Sequence, residues 1–171
     1  MEELEKGLEI SLHGEDAQKA VDRVHRQIQA WGLVLPKVEP LVLDFGLGDF
    51  ERLGEVEFWI ANEMEGGYCG KFLFVFDGQT CPQHNHKEKL ETFFIVKGAV
   101  KMLYDGREFE MSAGDILRVE VGKDHRFTGL GPCLLLEVSK PSIIADNYFE
   151  NTDIPIGGNY RNRLSKPADT Q

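Results

Sequence analysis

The chain has 171 residues, 42% of them hydrophobic, and carries 19 lysines and arginines against 29 aspartates and glutamates, a formal net charge of −10. That length fits one domain with a substantial core, the acidic balance argues against nucleic acid as a partner, and the apolar runs stop far short of a membrane span. Three cysteines, Cys69, Cys81 and Cys133, without a C-x-x-C pair, fit free thiols in a reducing, cytoplasmic setting better than a disulfide framework.

Residues 1–38 read as a helical arm and linker. The start, MEELEKGLEISLHGED, is acidic and has no apolar stretch of the kind a signal peptide needs, so none is expected. Residues 15–31 form an amphipathic pattern: Ala17, Ala20, Val21, Val24, Ile28 and Trp31 recur at three- and four-residue steps. Asp16 stands near the start of this helix, and Gly32 can stop it. His25 falls on its polar side and is expected in solvent. The helix is expected to pack outside a β-domain or at a subunit contact.

Pro36 and Pro40 mark an extended linker, after which the pattern changes. Residues 39–161 read as the β-domain. Short runs rich in β-branched and aromatic residues fall at 41–45, 56–62, 70–76, 91–96, 100–104, 108–111, 116–121 and 134–138, with glycine-bearing turns between them. Many short strands at this spacing imply an all-β sandwich or barrel. Residues 162–171 form a polar tail.

The stretch GQTCPQHNHKEKLETFFIVKG, residues 78–98, carries the chemistry. His84 and His86 are two apart, so in an extended strand they share a face. A turn through residues 87–90 is expected to return the next strand antiparallel, as a hairpin, and to bring Glu91 alongside. Imidazole suits divalent transition metals, and one carboxylate adds charge and hardness. His125, which closes the later pattern GDILRVEVGKDH, is the best-placed fourth ligand. A His-x-His pair alone is more often a pair of surface or satisfied polar residues; the combination with Glu91 and His125 favours a metal. Cys81 reads as a small buried residue, since hard-ligand sites rarely recruit thiolate.

Gly78, His84, His86, Glu91 and Gly98 carry the spacing of the first cupin motif, G-x5-H-x-H-x4-E-x6-G, and Gly114, Gly122 and His125 resemble the second, with Glu120 and Gly129 in place of its usual Pro and Asn. The resemblance implies a cupin jelly-roll β-barrel, with the helix packed outside and a metal bound inside by His84, His86, Glu91 and His125. A narrower resemblance lies in DFGLG (residues 44–48), YCGK (68–71), GQTCPQHNH, KLETF (89–93), Glu137 with its following Val-Ser, and DNYF (146–149). These are similar to the D-lyxose ketol-isomerase family. That resemblance implies a homodimer and a divalent metal, typically Mn(2+), with Co, Fe, Ni or Zn open. It implies interconversion of D-lyxose and D-xylulose, and of D-mannose and D-fructose.

The residues can do that chemistry. N, N, N, O donors leave adjacent positions open in octahedral coordination, where a sugar carbonyl and the neighbouring hydroxyl can chelate. The expected reaction is base-catalysed proton transfer through a metal-stabilised enediolate. Glu137, in the apolar strand LLLEV, is the first candidate for the base, with Asp146 as a second acid–base group or hydroxyl clamp. Lys71 and Lys89 are the candidate substrate-binding cations. The plainer readings are a stabilising ion pair for Glu137, a solvated hairpin charge for Lys89 and a turn-forming Asp146. Tyr148, Phe149, Tyr160 and Arg161 are candidates to line the mouth. Two rivals share the ligand set: an Fe(II)-dependent cupin dioxygenase and a non-catalytic sugar-binding cupin.

Overall fold

The computed structural model describes residues 2–160. Two helices, α1 (Glu2–Leu8) and α2 (Gly14–Ala30), precede strands β1 (Leu41–Leu43), β2 (Glu55–Glu63), β3 (Tyr68–Val75), β4 (Thr80–Asn85), β5 (Glu91–Lys97), β6 (Ala99–Tyr104), β7 (Arg107–Ser112), β8 (Ile116–Val119), β9 (His125–Gly129), β10 (Cys133–Ser139) and β11 (Tyr148–Phe149). A single 3₁₀ turn, Ile144–Asp146, lies between the last two strands. The expected polar tail and Arg161 lie outside the described residues.

The strands form two antiparallel sheets, one in the order β1-β2-β3-β10-β5-β8 and the other β11-β4-β9-β6-β7. Their facing sides enclose a core that includes Leu73, Ile95, Val100, Met102, Phe127 and Leu135. This is the expected jelly-roll. Burial alternates along β6: Val100 and Met102 point in, whereas Lys101 points out. Gly98 sits between β5 and β6 at φ +85, where an added Cβ would collide with the Pro132 carbonyl. A side chain there is excluded both by conformation and by space.

Helix α2 covers the outer face of the six-stranded sheet. Its Ala20, Val24 and Ile28 are buried against Val42, Val56, Phe58, Phe74 and Leu134. The central strands of that sheet are therefore shielded on both sides, which explains the nearly unbroken apolar runs FLFV in β3 and CLLL in β10. His25 is exposed, as its position on the polar face required.

The expected hairpin between the His84–His86 strand and the Glu91 strand does not form. β4 pairs with β9 and β11, and β5 pairs with β10 and β8. The chain between them crosses from one sheet to the other. A short polar connection serves a hairpin or a crossover equally well, and here the N–H groups of Lys87, Glu88 and Lys89 turn to the Asp146 carboxylate. β9 was not anticipated as a strand, because HRFTG has little apolar content. It is strand because β4 and β6 flank it on both edges.

Candidate metal centre and cavity

His84 lies near the end of β4, opposite His125 at the start of β9, and His86 follows one residue beyond β4. Glu91 opens β5 in the opposing sheet. Two strands of one sheet and one strand of the other thus deliver one cluster. The rings of His84 and His125 are 4.3 Å apart between centroids, and those of His84 and His86 5.0 Å. One potential ligand atom from each of the four residues falls within 4.8 Å of all the others, and all four side chains are buried.

The tautomers follow from the backbone. His84 Nδ1 lies 2.7 Å from the Pro82 carbonyl, His86 Nδ1 3.1 Å from that of Asp146, and His125 Nδ1 3.0 Å from that of Lys123. A carbonyl only accepts, so each Nδ1 carries the proton and each Nε2 presents a lone pair. Burial, aided by the neighbouring imidazoles, pushes His84 well below the usual histidine range; burial and Lys89 lower His86. Both rings are held neutral, as ligation requires.

His86 Nε2, His125 Nε2 and Glu91 Oε1 are all buried without a hydrogen-bond partner. His125 Nε2 stands 2.8 Å from Glu91 Oε1, but not in hydrogen-bond geometry. Buried polar atoms are nearly always paired. Three orphans converging at one point fit a divalent cation that all of them would share.

Behind the cluster runs a chain of buried charge. Lys89 Nζ is 2.7 Å from Glu91 Oε2 and 3.1 Å from Glu137 Oε1. Lys71 Nζ is 3.5 Å from Glu137 Oε2 and 2.8 Å from Glu57 Oε1. Burial opposes the charges of Lys71, Lys89 and Glu91, yet the contacts prevail. Lys89, beside it, holds Glu91 well below the usual carboxylate range, and the carboxylates hold both lysines above theirs. Ser139 Oγ donates to Glu137 at 2.8 Å. Lys71 and Lys89 are thus inward and buried; the solvated reading of Lys89 is excluded.

Asp146 is brought to the cluster without facing the cavity as an acid. Its carboxylate accepts the N–H groups of Lys87, Glu88 and Lys89 at 2.9–3.1 Å, and its carbonyl accepts from His86. It fixes the crossover that carries Lys89 and orients one imidazole. Phe149 packs against His84, with ring centroids 5.4 Å apart, and Lys87 sits over the Tyr148 ring at 4.1 Å.

Lys71, Lys89, Glu91 and Glu137 line the cavity beside the cluster. Residues beyond the sheets also close it: Gly7 and Ile10 from the arm, and Ile144, Asn147 and Ile156 from the segment after β10. Glu3 accepts the Ile144 N–H at 2.6 Å, tying the two coverings together. The arm therefore shares the cavity rather than standing apart from it. Sequence reasoning missed Glu55, Glu57 and Trp59 in this wall. The signal was present: with Val56 and Phe58 facing the helix, alternation sends Glu55, Glu57 and Trp59 inward.

Comparison with known proteins agrees with this geometry. A family model described as cupin domain matches residues 72–139, and one described as D-lyxose isomerase matches residues 37–104. The D-lyxose/D-mannose isomerase of Thermosediminibacter oceani is 40% identical over 75 residues, 40% of each chain. The D-lyxose ketol-isomerase of Cohnella laeviribosi is 34% identical over 107 residues, 56% of each chain. The chain therefore spans about half the length of the curated relatives it matches. Among solved structures, the L-ribose isomerase of Cellulomonas parahominis superposes with a TM-score of 0.68 at 16% identity, covering 85% of this chain and 95% of that one. The fold is that of the cupins, and the matched stretch carries their motifs. Within the cupins, it resembles the D-lyxose isomerase family.

Proposed function

We propose that the chain is a metal-dependent aldose–ketose isomerase acting on small free sugars of the D-lyxose and D-mannose type. The observation that carries this reading is the set of orphaned donor atoms of His86, His125 and Glu91, backed directly by the Lys89–Glu137–Lys71 chain in one cavity wall. His84, His86, Glu91 and His125 would hold the cation, with Mn(2+) as the first choice. A divalent cation held there supplies Lewis-acid polarisation of a sugar carbonyl.

The protein's own groups supply the rest. Glu137 is the base: it takes the proton from the carbon beside the carbonyl and returns it to the former carbonyl carbon. The C–H electron pair becomes the new carbon–carbon bond order and then the new C–H bond, and the hydroxyl proton moves between the two oxygens. Lys89 and Lys71 stay charged, steady Glu137 and donate hydrogen bonds to sugar oxygens. Asp146 takes a positioning role in place of the acid–base role expected from sequence, because its oxygens are already engaged. Apolar walls exclude water from the proton in transit.

A homodimer is supported by the exposed Ile60, Phe94, Ile116 and Val138 on the six-stranded sheet. A reducing, cytoplasmic setting is supported by three buried free thiols. Among the described residues, no helix is long and apolar enough to cross a membrane.

The test strips the protein with a chelator, reloads it with Mn(2+), and offers D-lyxose and D-mannose without oxygen. Ketose is expected from the loaded protein, none from the stripped protein, and full activity without air. Failure to convert any pentose or hexose would overturn the reading, and oxygen uptake dependent on Fe(II) would favour the oxidative rival.

A further inference from the structure

The mechanism above leaves one pair of buried acids unused. Glu55 and Glu57 both project from β2 into the cavity, and they are 4% and 5% exposed. Their environments differ. Glu57 is fully engaged: Lys71 donates to one oxygen at 2.8 Å and Trp59 Nε1 to the other at 2.6 Å. Glu55 Oε2 is completely buried and has no hydrogen-bond partner. The groups facing Glu55 are the Glu57 carboxylate, the Cys81 thiol and, farther off, Lys71.

Such an arrangement is unfavourable unless something completes it. Two carboxylates side by side in a low dielectric do not both ionise. Burial first, and then the Glu57 charge, push Glu55 well above the usual carboxylate range, with Lys71 opposing; Lys71 and Trp59 hold Glu57 below it despite its burial. The proton therefore resides on Glu55. A neutral carboxyl next to a carboxylate offers a donor and acceptors at one spot. A sugar hydroxyl, which both donates and accepts, matches that set. Leu43, Phe45 and Leu73 line the same part of the wall and keep solvent from serving instead.

Position decides which hydroxyl. The contacts run Glu91, Lys89, Glu137, Lys71, Glu57 in order, so the pair lies at the opposite end of the charged wall from the metal ligands. A sugar whose carbonyl end is at the cluster would direct its other end here. We propose that Glu55 and Glu57 form a carboxyl pair that binds the terminal hydroxyl of the sugar and so sets which sugar the cavity accepts. This rests on the isomerase reading for the orientation of the ligand. Glu55 is a substrate-binding residue and takes no part in moving the substrate's C–H proton.

The test compares D-lyxose with 5-deoxy-D-lyxose on the Mn(2+)-loaded full chain, for the unaltered protein and Glu55→Ala. The preference for D-lyxose, read as the ratio of the two kcat/KM values, is expected to fall about tenfold in the variant, mostly through KM. Loss of folding would lower both sugars together and leave the ratio alone, so an unchanged ratio overturns the proposal. Calorimetric binding of the same two sugars separates this from the isomerase reading. If no aldose is turned over but Glu55→Ala weakens D-lyxose binding selectively, the pair stands and the isomerase fails. If neither sugar binds, both fall. Infrared difference spectra at neutral pH give an independent check: a protonated-carboxyl band should vanish in Glu55→Gln, and its absence from the unaltered protein overturns the shared proton.

Discussion

On the outer face of the six-stranded sheet, Val56, Phe58, Phe74 and Leu134 pack under α2 with nothing left to satisfy. On the inner face of the same strands, Glu57, Lys71 and Glu137 are buried just as deeply and must hold one another. A single residue along β10 separates the two regimes, since Leu136 and Glu137 point opposite ways. The outer face gains free energy simply by leaving water, at about 25 cal/mol per Å² of apolar surface. The inner face spends part of that gain on desolvating charges, whose mutual attraction rarely exceeds what an apolar core would have given. Stability should therefore reside in the outer face and activity in the inner one.

The strongest way to break that division is at Glu137. Replacing it with Gln should lower kcat by about 10²–10⁴-fold, the usual contribution of a positioned base. The fold should survive, because Lys71 keeps Glu57 and Lys89 keeps Glu91. Steady-state rates with D-lyxose, beside a urea titration, read both effects. A fully active variant, or one that unfolds while inactive, would erase the distinction between the faces.

The reverse experiment is at Ile28, which is buried on α2 against the sheet and remote from the cavity lining. Ile28→Ala should cost about 2–5 kcal/mol of unfolding free energy, as truncating a buried Ile to Ala does. The kcat/KM of the molecules still folded should be unchanged. A matching loss of kcat/KM under stabilising conditions would show that the helix tunes the site through the sheet.

The outer face was the easier of the two to read from sequence. The α2 stripe and the apolar runs of β3 and β10 announce themselves by period and composition, and the structure moves the helix ends by one residue at most. The four clustered side chains were equally legible, because His-x-His followed by Glu and a late His is a spacing that little else explains. What stayed hidden depended on tertiary partners. HRFTG is strand only because two neighbours claim it. The crossover after His86 looks like a hairpin until Asp146, far along the chain, gathers its N–H groups. Glu55 and Glu57 alternate with Val56 and Phe58 as an exposed strand face would, so their burial shows only once α2 is known to occupy the other side.

The finest difference between the faces concerns protons. Outer-face stability is independent of pH, whereas Glu55 gives the inner face a sign of its own. Its carboxyl is held well above the usual range by burial and by Glu57. Below the unfolded value near 4.5 both states are protonated, and its contribution to stability is fully present. As pH rises, the unfolded chain releases the proton while the folded chain keeps it. Stability then falls by about 1.4 kcal/mol for each pH unit until the raised value is passed. Glu57 and Glu91, both held low, act in the opposite sense, adding stability above their unfolded values and losing it as pH falls. They remain in both proteins when Glu55→Gln is compared with the unaltered chain, so their contribution largely cancels. The glutamine variant should therefore gain in relative stability between acid and neutral pH, with the gap shrinking towards pH 4.5. Urea midpoints at the two ends of that window measure it. A gap of constant size would mean that Glu55 ionises in the fold, and that its orphaned oxygen is balanced by a charge rather than by a proton.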